Sequence, residues 1–254
     1  KQMKKVIEYF VTKQAAAEIY VGTDYKETSI SSNVYKIIRN CQLQGGLAIA
    51  CGDAGIGKTQ ACRQYYREHG TNCIYITVNP CIKSAKSVLE LIGSKLNVSS
   101  GSVSRLWLEI SSKLSDGMVI IVDEAQHLTR NAIDTLRSLC DCFDEKGQTL
   151  GICFVGNETT VSRLGGKQKA EFAQIRNRTK NTRFYSVKQI KKSDIEMLFP
   201  DIREDTTAVE FLLCIAQSPQ AIRGAVNLYS NALDNGNVTA KGLSAIAKYM
   251  DMAV

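Results

Sequence analysis

The stretch Gly52-Asp53-Ala54-Gly55-Ile56-Gly57-Lys58-Thr59 constrains this chain more than any other. It fits G-x-x-x-x-G-K-[ST], the phosphate-binding loop, without a mismatch. Leu47-Ala48-Ile49-Ala50-Cys51 before it reads as a buried strand, and the residues from Thr59 and Gln60 to Glu68 read as a helix. Glycines let the backbone curl so that successive N–H groups point inward at phosphate oxygens. The helix start adds its unsatisfied N–H groups and the positive end of its dipole. Lys58 can reach the β- and γ-phosphates, and the Thr59 hydroxyl can ligate Mg²⁺. The competing reading is a glycine-rich turn that fits by accident, and the strand and helix on either side weigh against it. A nucleotide with Mg²⁺ is therefore the expected ligand of residues Gly52 to Gln60.

The remaining composition is that of an ordinary globular protein. The 254 residues are 44% hydrophobic and 22% charged, enough for one large domain or a core with a satellite. Apolar runs are strand-sized, well under the roughly 20 residues of a membrane span, so no membrane partner is expected. Glu8 and Lys13 interrupt the apolar start, which does not fit a secretory leader. Nine cysteines, an odd number with no C-x-x-C, point to buried thiols in a reducing cytoplasm. Two histidines with no ligand-like spacing argue against a zinc site. A net charge of +7 suits a polyanionic partner, although solvated lysines alone would produce it.

Along the chain, residues 1–20 have helical spacing, and Ser31 or Ser32 is the expected cap of a helix carrying Val34, Ile37, Ile38 and Cys41 inward. Further strands are expected at 73–78, 118–122, 151–155 and 183–187, with helices between them. Alternation of strands and helices implies a three-layer α/β core with a mostly parallel five-stranded sheet. After about residue 188 only helical patterns remain. The expected organisation is an N-terminal helix and loop (1–30), a nucleotide-binding core (31–188) and a small all-α lid (189–254).

Val122-Asp123-Glu124-Ala125-Gln126 says more about the chemistry. Two acids at the C-terminal tip of a core strand lie where an open α/β sheet binds ligands. Asp123 can hold Mg²⁺, and Glu124 can polarise an attacking water. The alternative is that the two acids only begin a solvated helix. One further strand precedes Asp123 after the loop, the spacing of ATPases with a catalytic glutamate and not of nucleotide kinases. Asn157, in Val155-Gly156-Asn157-Glu158, is placed to orient that water, although an asparagine in a turn after a strand is also common. A basic tract follows, and Arg176 or Arg178 could reach a γ-phosphate bound by a neighbouring subunit. Its plain alternative is a solvated face. Arg223 lies near a helix start, where a surface arginine is the equal alternative.

Together these passages resemble the AAA+ ATPases, and within them the MuB/TnsC-like transposition regulators, over about residues 31–250. The matching passages are Gly52 to Thr59, Ile121 to Leu128, Val155 to Glu158, and Phe172-Ala173-Gln174 leading to Arg178. Asp123-Glu124-Ala125-Gln126-His127 also looks like the secretion ATPases typified by ExeA. The resemblance implies a P-loop ATPase that assembles as a ring or helical filament of copies on double-stranded DNA and engages a transposase. It puts Asn157 on sensor 1, Arg223 on sensor 2, and Arg178 or Arg176 on the arginine finger. It puts DNA contacts at Lys83, Lys86, Ser102 and Arg105, where donors to phosphates would bind with little sequence preference. An assembly ATPase that ignores DNA, and a nucleotide-gated switch with little turnover, are the competing classes.

Overall fold

The computed structural model describes residues 25–160 and 179–252. The chain divides into two compact units, one spanning Ser29–Gln189 and the other holding the chain from Ile190 on.

The first unit is built on a sheet of five strands: β1 (Gly46–Gly52), β2 (Cys73–Thr77), β3 (Met118–Asp123), β4 (Leu150–Gly156) and β5 (Thr179–Tyr185). They lie in the order β2-β3-β4-β1-β5, and every pairing is parallel. The helices are α1 (Ser29–Gln44), α2 (Lys58–His69), α3 (Ala85–Lys95), α4 (Val103–Lys113) and α5 (Arg130–Asp144). β1, β3 and β4 are buried almost end to end, which explains their unbroken apolar sequence. Strand periodicity then sorts side chains into two layers. Leu47, Ile49, Ile120, Val122, Ile152 and Phe154 share one core with Val88, Leu89, Ile92, Leu106, Ile110, Ile133 and Leu136 of α3, α4 and α5. The alternate residues, Ala48, Ala50, Val119, Ile121, Cys153 and Val155, are equally buried on the opposite face, where α1 and α2 pack.

Local signals set most helix starts. Ser84 and Ser87 form a reciprocal capping box on α3, Ser102 accepts from the Arg105 amide on α4, and Thr129 accepts from the Ala132 amide on α5. α1 departs from expectation. It begins at Ser29, so Ser31 is a buried residue of its first turn and neither Ser31 nor Ser32 is a cap. β5 departs further: it runs Thr179–Tyr185 and not 183–187. It is an edge strand paired only with β1, and its exposed, polar pattern offers no apolar run to recognise. The expected helix in residues 1–20 lies outside the described residues.

The second unit holds α6 (Lys192–Leu198), α7 (Thr206–Ala216), α8 (Ala221–Asp234) and α9 (Ala240–Tyr249), with a short 3₁₀ turn at Pro200–Ile202. Ile195, Leu212, Ile215, Leu228 and Leu243 are fully buried, and the Phe199 and Tyr229 rings lie 4.6 Å apart. All nine cysteines are free thiols; six are buried, Cys142 is half-buried, and Cys81 and Cys214 are exposed. Among the described residues no helix is long and apolar enough to cross a membrane.

Candidate functional site

The parallel sheet delivers β1, β3 and β4 to a common C-terminal edge. β4 pairs with β1 on one side and β3 on the other, so Gly156 comes level with Cys51 and Phe154 with Val122. The strand inserted in space between the phosphate loop and the acidic pair is therefore β4. Cys73–Thr77, which intervenes in sequence, lies at the sheet edge beyond β3. Asn157 thus follows the strand that separates Lys58 from Glu124.

The loop from Gly52 to Gly57 is held by its ends. Gly57 adopts the left-handed conformation (φ 99°) just before α2, a cost-free geometry only for glycine. Ile56 is fully buried beneath the turn, whereas Ala54 is exposed and Gly55 half-exposed. Gly52 lies against β5 so closely that a Cβ there would stand 2.0 Å from the Tyr185 carbonyl oxygen. The Asp53 amide donates to that same oxygen at 3.0 Å, and the Asp53 carboxylate accepts from the Val187 amide at 2.8 Å. Asp53 was expected among the phosphate-binding residues. Its side chain is instead a clamp on the segment after β5, and its amide and carbonyl are engaged by Tyr185 and Lys58. Gln60, on the first turn of α2, is exposed.

Lys58 is buried and donates to the carbonyls of Gly52 (3.0 Å) and Asp53 (2.6 Å). Burial lowers its pKa, and Asp123, Glu124 and Asp53 oppose that shift. Asp123 is 2% exposed. Burial raises its carboxyl, against hydrogen bonds from the Thr59 hydroxyl, the Tyr75 hydroxyl and the Glu124 amide. The Tyr75 bond is 3.0 Å, and the Thr77 hydroxyl donates to Tyr75 in turn at 3.2 Å. Burial works against both charges, and a phosphate beside Lys58 or a divalent cation beside Asp123 would act in the opposite sense, favouring the charged forms. Thr59 and Asp123, in contact with each other, form a hard-oxygen donor pair that fits Mg²⁺.

Glu124 sits in a left-handed turn (φ 58°, ψ 33°) that lifts it off the strand before the 3₁₀ turn Ala125–His127. Its carboxylate accepts from the Gln126 side-chain amide at 2.5 Å, and the Gln126 carbonyl oxygen accepts from the Asn157 backbone amide at 3.3 Å. The Asn157 side-chain oxygen caps the following turn, accepting from the Thr159 amide (3.0 Å) and hydroxyl (2.6 Å). With the oxygen so engaged, the Asn157 NH₂ group is the end able to donate to a water. Glu124 and Asn157 were expected here; Tyr75 and Gln126 were not. Gln126 was visible in the Asp-Glu-Ala-Gln run, but nothing in a linear sequence says that it reaches β4. Tyr75 becomes a partner of Asp123 only because β2 pairs with β3.

Other expected residues fall elsewhere. Arg176 and Arg178 lie outside the described residues. Arg223 is exposed on the first turn of α8, in the second unit. Lys83 and Lys86 are exposed at the start of α3, and Ser102 and Arg105 at the start of α4, which packs against α3. Lys86 and Arg105 each face a glutamate one turn on, Glu90 at 3.9 Å and Glu109 at 2.7 Å. Exposed pairs of this kind are weak, under about 1 kcal/mol, and yield readily to a polyanion.

Comparison with known proteins agrees with this architecture. Residues 41–164 match the family model described as AAA domain. The chain is 29% identical over 236 residues to the ATP-dependent target DNA activator B of Escherichia phage Mu, covering 90% of this chain and 71% of that protein. It is 28% identical to the Mu-like prophage FluMu DNA transposition protein B of Haemophilus influenzae, over 89% of this chain and 79% of that one. Among solved structures it is similar in fold to the Aeropyrum pernix ORC2 protein (TM-score 0.59, 14% identity, 89% of this chain and 70% of that chain). It is also similar to the Thermotoga maritima RuvB Holliday junction branch migration motor (TM-score 0.53, 15% identity, 91% of this chain and 70% of that chain).

Proposed function

We propose that this AAA+ ATPase, related over nine-tenths of its length to the Mu-type transposition B proteins, is a regulator of transposition that binds duplex DNA when loaded with ATP. The observation that carries this reading is the likeness, over 90% of the chain, to a protein whose name is ATP-dependent target DNA activator. The site supports it with Lys58, Thr59, Asp123, Glu124 and Asn157 near the C-terminal edge of one parallel sheet.

In this reading residues 31–188 are the nucleotide-binding core and residues 189–254 its lid. The backbone of the Gly52–Gly57 loop cradles the phosphates and Lys58 exchanges its two carbonyl partners for phosphate oxygens. Thr59 and Asp123 hold Mg²⁺, which screens the charge of the phosphates. Glu124 takes the proton of the attacking water while Asn157 donates to that water's oxygen. The new bond joins the water oxygen to the γ-phosphorus, and the bond from phosphorus to the β,γ-bridging oxygen breaks, leaving ADP and phosphate. Arg178 or Arg176 of a neighbouring copy and Arg223 supply positive charge to the γ-phosphate, so the assembled oligomer is the active form. Lys83, Lys86, Ser102 and Arg105 donate to DNA phosphates, and the assembled protein recruits a transposase.

Sedimentation with duplex DNA of unrelated sequences, with and without a non-hydrolysable ATP analogue, tests this directly. Assembly that requires both nucleotide and DNA, weakens steeply with salt, and loses part of its salt slope in Lys86→Glu is the expected result. Equal sedimentation without DNA would remove the DNA-binding reading.

A further inference from the structure

Between the proposed base and the proposed water-orienting residue stands one side chain to which neither family nor sequence assigned a role. Gln126 spends both ends of its amide on them: the NH₂ group donates to the Glu124 carboxylate at 2.5 Å and the oxygen accepts from the Asn157 amide at 3.3 Å. The path is built for it. At Gly156, the last residue of β4, a Cβ would meet the Gln126 oxygen at 2.4 Å and the Thr160 hydroxyl at 2.3 Å, so only a residue without a side chain lets the amide cross the strand end. The left-handed turn at Glu124 and the 3₁₀ turn after it bring residue 126 back toward residue 124. A carboxylate just beyond β3 and a backbone amide just beyond β4 are thereby tied through a planar amide, which has little freedom once both of its ends are engaged.

We infer that Gln126 is a positioning residue for ATP hydrolysis, which holds the Glu124 carboxylate in fixed relation to Asn157 and transmits movement of the β4 end to the base. This rests on Glu124 being the water-activating group. Because Gln126 touches neither nucleotide nor water in this role, it acts on turnover through geometry and leaves nucleotide affinity alone. Displacement of a reacting group by about 1 Å can cost on the order of 100-fold in rate.

Gln126→Met keeps the length and volume of the side chain and removes both hydrogen bonds. In a steady-state ATPase assay kcat is expected to fall roughly 10- to 100-fold, with the KM for ATP and the affinity for a fluorescent ATP analogue within about twofold of the parent. Gln126→Asn keeps the amide but is one methylene too short to span the gap, and the same loss is expected. A purely packing role would leave Gln126→Met at parental turnover. Glu124→Gln serves as the reference: in single-turnover measurements Glu124→Gln with Gln126→Met should be no slower than Glu124→Gln alone, since the second residue acts through the first. Parental kcat in Gln126→Met, or a further loss in the Glu124→Gln background, overturns the inference. If Glu124→Gln itself turns over normally, the assignment of the base has failed instead, and the two failures are told apart.

Discussion

Replacing Gly52 by alanine tests whether the phosphate loop is held by β5. The added Cβ would lie 2.0 Å from the Tyr185 oxygen, 2.8 Å from its carbonyl carbon and 2.9 Å from its nitrogen. All three are backbone atoms, so no rotamer change relieves the contact. Ordinary contact begins at 3.4 Å, so the strand must retreat by about 1.4 Å, the difference between 3.4 and 2.0 Å. That movement lengthens the Asp53–Tyr185 backbone bond, now 3.0 Å, and the Asp53–Val187 bond, now 2.8 Å, beyond useful range. Two such bonds are worth about 0.5–1.5 kcal/mol each. Overpacking strain adds roughly 1–3 kcal/mol, so the total is about 2–6 kcal/mol. For a unit of this size that is a fall in melting temperature on the order of 10 °C. Thermal unfolding followed by circular dichroism, with titration of a fluorescent ATP analogue on the folded protein, measures both consequences. Gly52→Ala is expected to melt early and to bind nucleotide weakly, because the loop amides lose their anchor. A variant that melts within about 2 °C of the parent and binds ATP normally would show that β5 does not hold the loop.

Two further outcomes concern the rest of the core. Gln42, 6% exposed, accepts from the Tyr65 hydroxyl and donates to the carbonyls of Gly117 (2.8 Å) and Asn72 (3.3 Å), tying α1 to the segments that enter β2 and β3. Gln42→Leu strands those partners and should cost about 2–5 kcal/mol in urea unfolding with little change in nucleotide affinity, since it acts at the opposite end of the strands; a loss under about 0.5 kcal/mol would contradict the network. The Tyr35 hydroxyl donates to Glu68, the main cause of the lowered Glu68 pKa. A depressed carboxylate stabilises the fold above its unfolded pKa of about 4.3 and loses that contribution as pH falls through the lower folded value. The stability gap between the parent and Tyr35→Phe should therefore be constant from pH 7 to about 5 and shrink in more acidic urea titrations. An unchanged gap at pH 3 would argue against the bond.

The chemistry of this protein was legible wherever the needed groups are consecutive in the chain. Gly52 to Thr59 specifies a phosphate cradle because backbone curvature, lysine reach and the helix start are all local. Asp123 and Glu124 were readable because a buried strand must deliver its last residues to the sheet edge. Edge strand β5 starts four residues and ends two residues before the expected 183–187, because it has no buried pattern and only pairing with Gly46–Gly52 defines its register. Tertiary structure alone decided that β4 stands between the phosphate loop and the acids, that Tyr75 reaches Asp123, that Asp53 turns away to clamp Val187, and that Gln126 crosses Gly156 to join Glu124 with Asn157. Apart from Gln126 with Glu124, these contacts link residues at least 31 positions apart, through hydrogen bonds whose partners are set by strand order. Local sequence specifies which groups a phosphate site can use; the packing of parallel strands specifies which of them meet.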